Sequence, residues 1–150
     1  MSAGEYANRD VIVVEEQESV RTAVNMMRQH HVGTVVVVGR EAGRHPIPRG
    51  ILTDRDVVLE ILAEDVDLDE VTIGDVMSYE LVTVPEKTGL MEVIEVMRDK
   101  GVRRVPVVDN RGALIGILSV DDVLELISEQ LEDLVRLIAR EQRHERARRR

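Results

Sequence analysis

Gly50-Ile51-Leu52-Thr53-Asp54-Arg55-Asp56 and Gly116-Ile117-Leu118-Ser119-Val120-Asp121-Asp122 follow one pattern: glycine, two aliphatic residues, a hydroxyl residue, and an aspartate three positions later. The recurrence marks an internal repeat, and its extent is found by reading outward. Toward the N-terminus the copies align at an offset of 70, with Gly4 opposite Gly74 and Val14 opposite Val84. Val20, Ala23, Val24 and Met27 fall opposite Leu90, Val93, Ile94 and Met97. Val35-Val36-Val37-Val38 meets Val105-Pro106-Val107-Val108 before the offset drops to 66 at Gly50 and Gly116. The difference is an insertion in copy one, around Gly39 to Arg49, whose glycines, prolines and charges predict a surface hairpin loop.

Each copy reads as strand, helix, strand, strand, helix. Short apolar strands come first, at Val11 to Val14 and Leu81 to Val84. A helix with apolar positions three and four apart follows, and Ser19 is placed to cap the first one. The predicted strand pairs are Thr34 to Val38 with Gly50 to Leu52, and Val105 to Val108 with Leu114 to Leu118. Asp109-Asn110-Arg111-Gly112 supplies turn chemistry between the latter two. Second helices begin near Asp54 and Val120. The predicted organisation is residues 1–63 for copy one, an acidic linker 64–73, 74–128 for copy two, and a helical extension 129–150 with a basic tail. Copies this short bury little sheet alone, so two packed face to face about a pseudo-twofold axis are expected. The fold class is α/β (α+β).

Composition narrows the function. The net charge is −9, which opposes nucleic-acid binding, and Tyr6 and Tyr79 are the only aromatics, too few for a base-stacking platform. There is no cysteine, which removes disulfides, thiolate metal sites and cysteine nucleophiles. The first residues carry no apolar signal core and the longest apolar run is far too short for a bilayer, so a soluble, cytoplasmic protein is expected.

The repeat, the stretch Gly101-Val102-Arg103-Arg104-Val105-Pro106-Val107-Val108-Asp109 and the two glycine-to-aspartate motifs together resemble the CBS domain family over nearly the whole chain. The resemblance implies a Bateman module, in which two CBS domains form two clefts for AMP, ADP, ATP, S-adenosylmethionine or related ligands. It places Thr53 and Asp56 at one cleft and Ser119 and Asp122 at the other, the aspartates on ribose hydroxyls and the Ser/Thr hydroxyls near phosphate. Residues before the second strand of each copy would enclose the adenine: Val32, Gly33, Thr34 and Val35, and Val102, Arg103, Arg104, Val105 and Pro106. The chemistry is consistent. A carboxylate can accept from two vicinal hydroxyls, a helix N-terminus favours phosphate, and Arg55 and Arg104 could donate to phosphate oxygens. The arginine pair is expected at the Ser119/Asp122 site, which should then bind phosphate-bearing ligands more tightly. No obligatory cofactor is expected.

Blander readings compete. Thr53-x-x-Asp56 and Ser119-x-x-Asp122 also fit helix capping. Asp54 would repel a phosphate unless it points away. His30-His31 suit a helix end better than a metal site, since no spaced His/Asp cluster completes one. Met26, Met27, Met91 and Met97 are expected to pack. Neither a nucleophile triad nor a glycine-rich phosphate loop is present, and adjacent Asp121 and Asp122 would point apart, so no enzyme is expected. The expected function is a non-catalytic sensor acting on an effector protein in trans; the alternative is an adaptor with empty clefts.

From Val120 the pattern is helical to at least Glu141. Val120, Leu124, Ile127, Leu131, Leu134 and Ile138 form a heptad seam, which serves either packing on the module itself or a homodimer. Arg146, Arg148, Arg149 and Arg150 form a basic tail that suits a solvated helix end.

Overall fold

Val20, Ala23 and Met27 are buried on α2 (Val20–His30), and their repeat partners Leu90, Val93 and Met97 are buried on α5 (Leu90–Lys100). The same three-then-four spacing thus lays each helix on its sheet. Ser19 caps α2, its Oγ accepting from the Thr22 N–H at 3.2 Å. Both helices stop at a left-handed residue, His31 (φ 53°) in one copy and Gly101 (φ 65°) in the other. The computed structural model describes residues 1–39 and 45–149, so residues 40–44 of the predicted insertion loop and Arg150 lie outside the described residues.

Two three-stranded sheets result. One has the order β1 (Val13–Glu15), β2 (Thr34–Gly39), β3 (Ile47–Thr53); the other has β4 (Val84–Pro85), β5 (Arg104–Val108), β6 (Leu114–Ser119). In each, the central strand runs parallel to the first and antiparallel to the third. Val35, Val37 and Leu52 join one buried cluster, Val105, Val107 and Leu118 the other. Strand alternation turns Val36, Val38, Pro106 and Val108 to the opposite faces, where they too are buried. β1 and β4 are shorter than the sequence predicts. Pro106 explains part of that in copy two: Val36 N–H donates to the Ile12 carbonyl at 2.9 Å, a bond a proline cannot make.

The two copies are not closed units. The short helix α1 (Ala3–Tyr6) belongs by sequence to copy one, yet Ala3 lies in the cluster of Val84, Leu90 and Val105. Its counterpart α4 (Ile73–Val76) sends Ile73 into the cluster of Val14, Ala23 and Val35. Matching backbone bonds fasten both: Gly4 N–H to Glu86 carbonyl at 2.8 Å, and Gly74 N–H to Glu16 carbonyl at 2.9 Å. Each repeat therefore lends its N-terminal segment to the other.

A short helix α3 (Asp54–Val57) continues as a π-helical turn, Val58–Leu62, whereas α6 runs unbroken from Val120 to Arg148. α6 carries straight through residue 129, as the helical pattern from Val120 predicts. Met27 and Met97 pack as expected, but Met91 is 71% exposed.

Candidate functional site

Lending of the N-terminal segments creates the clefts. Asn8 joins the edge of β6, exchanging backbone hydrogen bonds with Ile117 at 2.8 and 3.0 Å. Ser78, its repeat partner, does the same with Ile51 at 3.0 and 3.3 Å. Residues that follow then run between the repeats, walling two open clefts of about 300 and 230 Å³. Both are at or below the small end of ligand pockets.

The larger cleft takes Asn8, Asp10 and Ile12 from the lent segment, Val32, Gly33 and Thr34 from copy one, and Ile117, Ser119 and Asp122 from copy two. The smaller repeats this arrangement with Ser78, Glu80 and Val82, then Val102, Arg103 and Arg104, then Ile51, Thr53 and Asp56. Each cleft is composite: the pre-strand residues of one copy face the hydroxyl-to-aspartate motif of the other. His31 reaches the larger cleft from its left-handed cap. Thr34 and Arg104, repeat partners at the start of β2 and β5, line both.

Both motifs form complete capping boxes. Asp56 Oδ2 accepts from the Thr53 N–H at 2.9 Å while Thr53 Oγ1 accepts from the Asp56 N–H at 3.2 Å. Ser119 and Asp122 repeat this at 3.0 and 3.1 Å, with a further bond from Ser119 Oγ to Asp122 Oδ2 at 2.8 Å. The same four residues thus cap their helices and line the clefts. The cap fixes each carboxylate's direction, which preorganises it for anything entering the cleft.

A model of the CBS domain matches residues 3–63 and again residues 73–129. The chain belongs to the CBS domain family. An uncharacterised protein of Methanopyrus kandleri is 39% identical over 84% of the chain, which spans 62% of that relative's length. Hypoxic response protein 1 of Mycobacterium tuberculosis is 31% identical over 85% of the chain and 86% of its own. A crystal structure of Hypoxic Response Protein I with two coordinated zinc ions, 30% identical, superposes with a TM-score of 0.71 over 83% of this chain and 98% of that one. The cytosolic domain of the Mg2+ channel MgtE in complex with ATP gives 0.70 at 26% identity, over 83% of this chain and 48% of that one.

Several site expectations need correction. The arginine pair does not sit with Ser119 and Asp122; Arg103 and Arg104 both face the Thr53/Asp56 cleft, and Arg104 alone reaches the other. The reason is the composite wall, which crosses copies. Val35 and Val105 are fully buried in the two cores, on the faces of β2 and β5 turned from the clefts, and Pro106 is buried without lining either. Arg55 is exposed and lines neither cleft, because one step along α3 turns it from Asp56. Asp54 also lines neither; its Oδ1 accepts from the Arg55 N–H at 2.8 Å. Asp121 stands apart from Asp122, its Oδ1 3.9 Å from Arg103 in an exposed pair. Asn8, Asp10, Ser78 and Glu80 were not anticipated, although the offset of 70 pairs them two by two.

Among the described residues no group of three or more His, Cys, Asp or Glu is arranged to hold a metal ion. Nor is any helix among them long and apolar enough to cross a membrane.

Proposed function

We propose that this CBS pair is a non-catalytic sensor whose clefts take adenosyl ligands, with the Thr53/Asp56 cleft taking the phosphate-bearing ones. The observation that carries the reading is the set of groups at that cleft: an oriented carboxylate on Asp56, a hydroxyl on Thr53, and two guanidinium groups from the opposite copy. A carboxylate suits vicinal ribose hydroxyls and paired guanidinium groups suit phosphate. Val82, Val102 and Ile51 offer the purine apolar cover. The ATP complex of the related MgtE domain supports the ligand class. Occupancy would bias the angle between repeats, and an effector protein acting in trans would read that bias.

Titration of Asp56→Ala and Asp122→Ala with AMP tests the reading. Each loses the carboxylate half of its capping box, so folding is checked alongside. AMP affinity falls further in Asp56→Ala; a larger loss in Asp122→Ala contradicts the assignment.

Self-association is the second part of the reading. Along its length α6 exposes Leu124, Leu131, Leu134, Val135, Leu137 and Ile138, each more than half accessible. Val123 is buried and Leu126 packs on the core, so α6 already uses another face to hold its own module. A contiguous exposed apolar stripe of this kind suits a homodimer seam.

A further inference from the structure

Thr34 and Arg104 are the residues common to both clefts, and they are equivalent positions of the repeat that differ completely in charge. Had the copies been identical, each cleft would have carried its own cation at this point. Instead one guanidinium stands on the wall between them. The clefts then differ in what remains when it is committed. The Thr53/Asp56 cleft keeps Arg103 against Asp56 and Glu80, whereas the Ser119/Asp122 cleft keeps two carboxylates, Asp10 and Asp122, with His31 as the remaining ionisable base. Across the wall, Thr34 Oγ1 is a buried hydroxyl without a hydrogen-bond partner in the structure.

Resting on the ligand class proposed above, we infer that Arg104 is a single cation shared by two sites, so that one phosphate-bearing ligand weakens the binding of a second. A guanidinium makes its paired bonds to one phosphate at a time, because its donors lie in one plane on one stem. The first phosphate-bearing ligand takes the cleft with Arg103 and draws Arg104 to that side. A second must enter between Asp10 and Asp122 with no arginine, and its phosphate meets like charge. An uncharged nucleoside meets no such penalty there. The chain would accordingly hold one nucleotide and one uncharged adenosyl compound in preference to two nucleotides. A tenfold coupling lies within the ordinary range for linked binding, about 5–150-fold.

Calorimetric titration of the full chain with AMP, and separately with adenosine, provides the test. In the unaltered protein a second AMP binds at least tenfold more weakly than the first, while two adenosine molecules bind within a few-fold of each other. Arg104→Gln weakens the first AMP and leaves the second where it was, so the two steps converge. Thr34→Arg gives each cleft its own cation and strengthens the second AMP without weakening the first. Thr34 is partly buried, so far-ultraviolet dichroism and the melting temperature accompany that variant, and Arg104→Gln decides if it fails to fold. Two AMP steps of equal strength in the unaltered protein overturn the inference and leave the sensor reading intact. So does a gap that Arg104→Gln fails to narrow, because phosphate repulsion alone would then explain it. Neither AMP nor adenosine binding at all overturns the inference, and the sensor reading is then decided by ADP, ATP and S-adenosylmethionine.

Discussion

The carbonyl oxygen of Asn8 lies 2.6 Å from where a β-carbon on Gly116 would stand. The repeat reproduces this contact at Gly50, where the Ser78 carbonyl is also 2.6 Å from the missing β-carbon. These glycines are required by close approach: the lent segment of one copy hydrogen-bonds at that point to the edge strand of the other.

Gly116→Ala therefore forces either strand or segment to move, because the obstructing atom is backbone. Overpacking of this kind costs about 1–3 kcal/mol, and Gly50→Ala should behave alike. Urea unfolding of the two variants checks this. Because the displaced segments wall the clefts, AMP affinity should fall with stability. A substitution without effect on either would contradict the close contact.

The turn between β5 and β6 carries a pH dependence. Asp109 Oδ1 accepts from the Ala113 N–H at 3.0 Å and the Arg111 N–H at 2.8 Å, and Gly112 completes the turn at φ 81°. Those backbone bonds, Ala113 first, hold the Asp109 carboxyl below its ordinary value, with the Arg111 charge adding to them. A carboxylate whose folded pKa is depressed stabilises the fold above its unfolded value of about 4, and that stabilisation is lost as pH falls through the lower folded value. Asn at this position keeps an acceptor but does not titrate. The difference in melting temperature between the native chain and Asp109→Asn should be constant above about pH 5 and shift against the native chain below about pH 4. A difference that stays flat to pH 3 would contradict the assignment.

A variant ending at Glu129 removes most of the exposed stripe of α6 and leaves Val123 and Leu126 in place. Light scattering should show the mass of the native chain near twice the monomer and that of the shortened variant at the monomer. Leu131→Glu, with Leu131 58% exposed, should disrupt the seam without touching the module. An unchanged mass in both variants would remove α6 from the interface.

The repeat made the fold legible. Aliphatic positions on α2 and α5 fall three and four apart, the valine runs alternate across two faces, and both capping boxes can be read from Thr53, Asp56, Ser119 and Asp122 alone. What escaped was the exchange of N-terminal segments. Backbone bonds between Asn8 and Ile117 have no side-chain signature, so nothing local assigned Asp10 to the motif of the other copy. The misplaced arginine pair has a related cause, since the residues before β5 face the motif of the other copy. Arg55, Val35 and Val105 were misjudged for a different reason, because neighbours along a helix or strand face different ways. The pairing of Gly4 with Gly74, and of both with a close backbone approach, was the available clue.

Thermal unfolding of the full chain against AMP, ADP, ATP, S-adenosylmethionine and adenosine, with GTP as the control, tests the central claim most directly. A ligand present at a hundred times its dissociation constant adds about 2.7 kcal/mol. For a chain of this size that raises the melting temperature by roughly 5–10 °C. A rise with at least one adenosyl compound and none with GTP is the predicted result. No rise with any of them would contradict the sensor account and leave the clefts as features of a partner-binding adaptor.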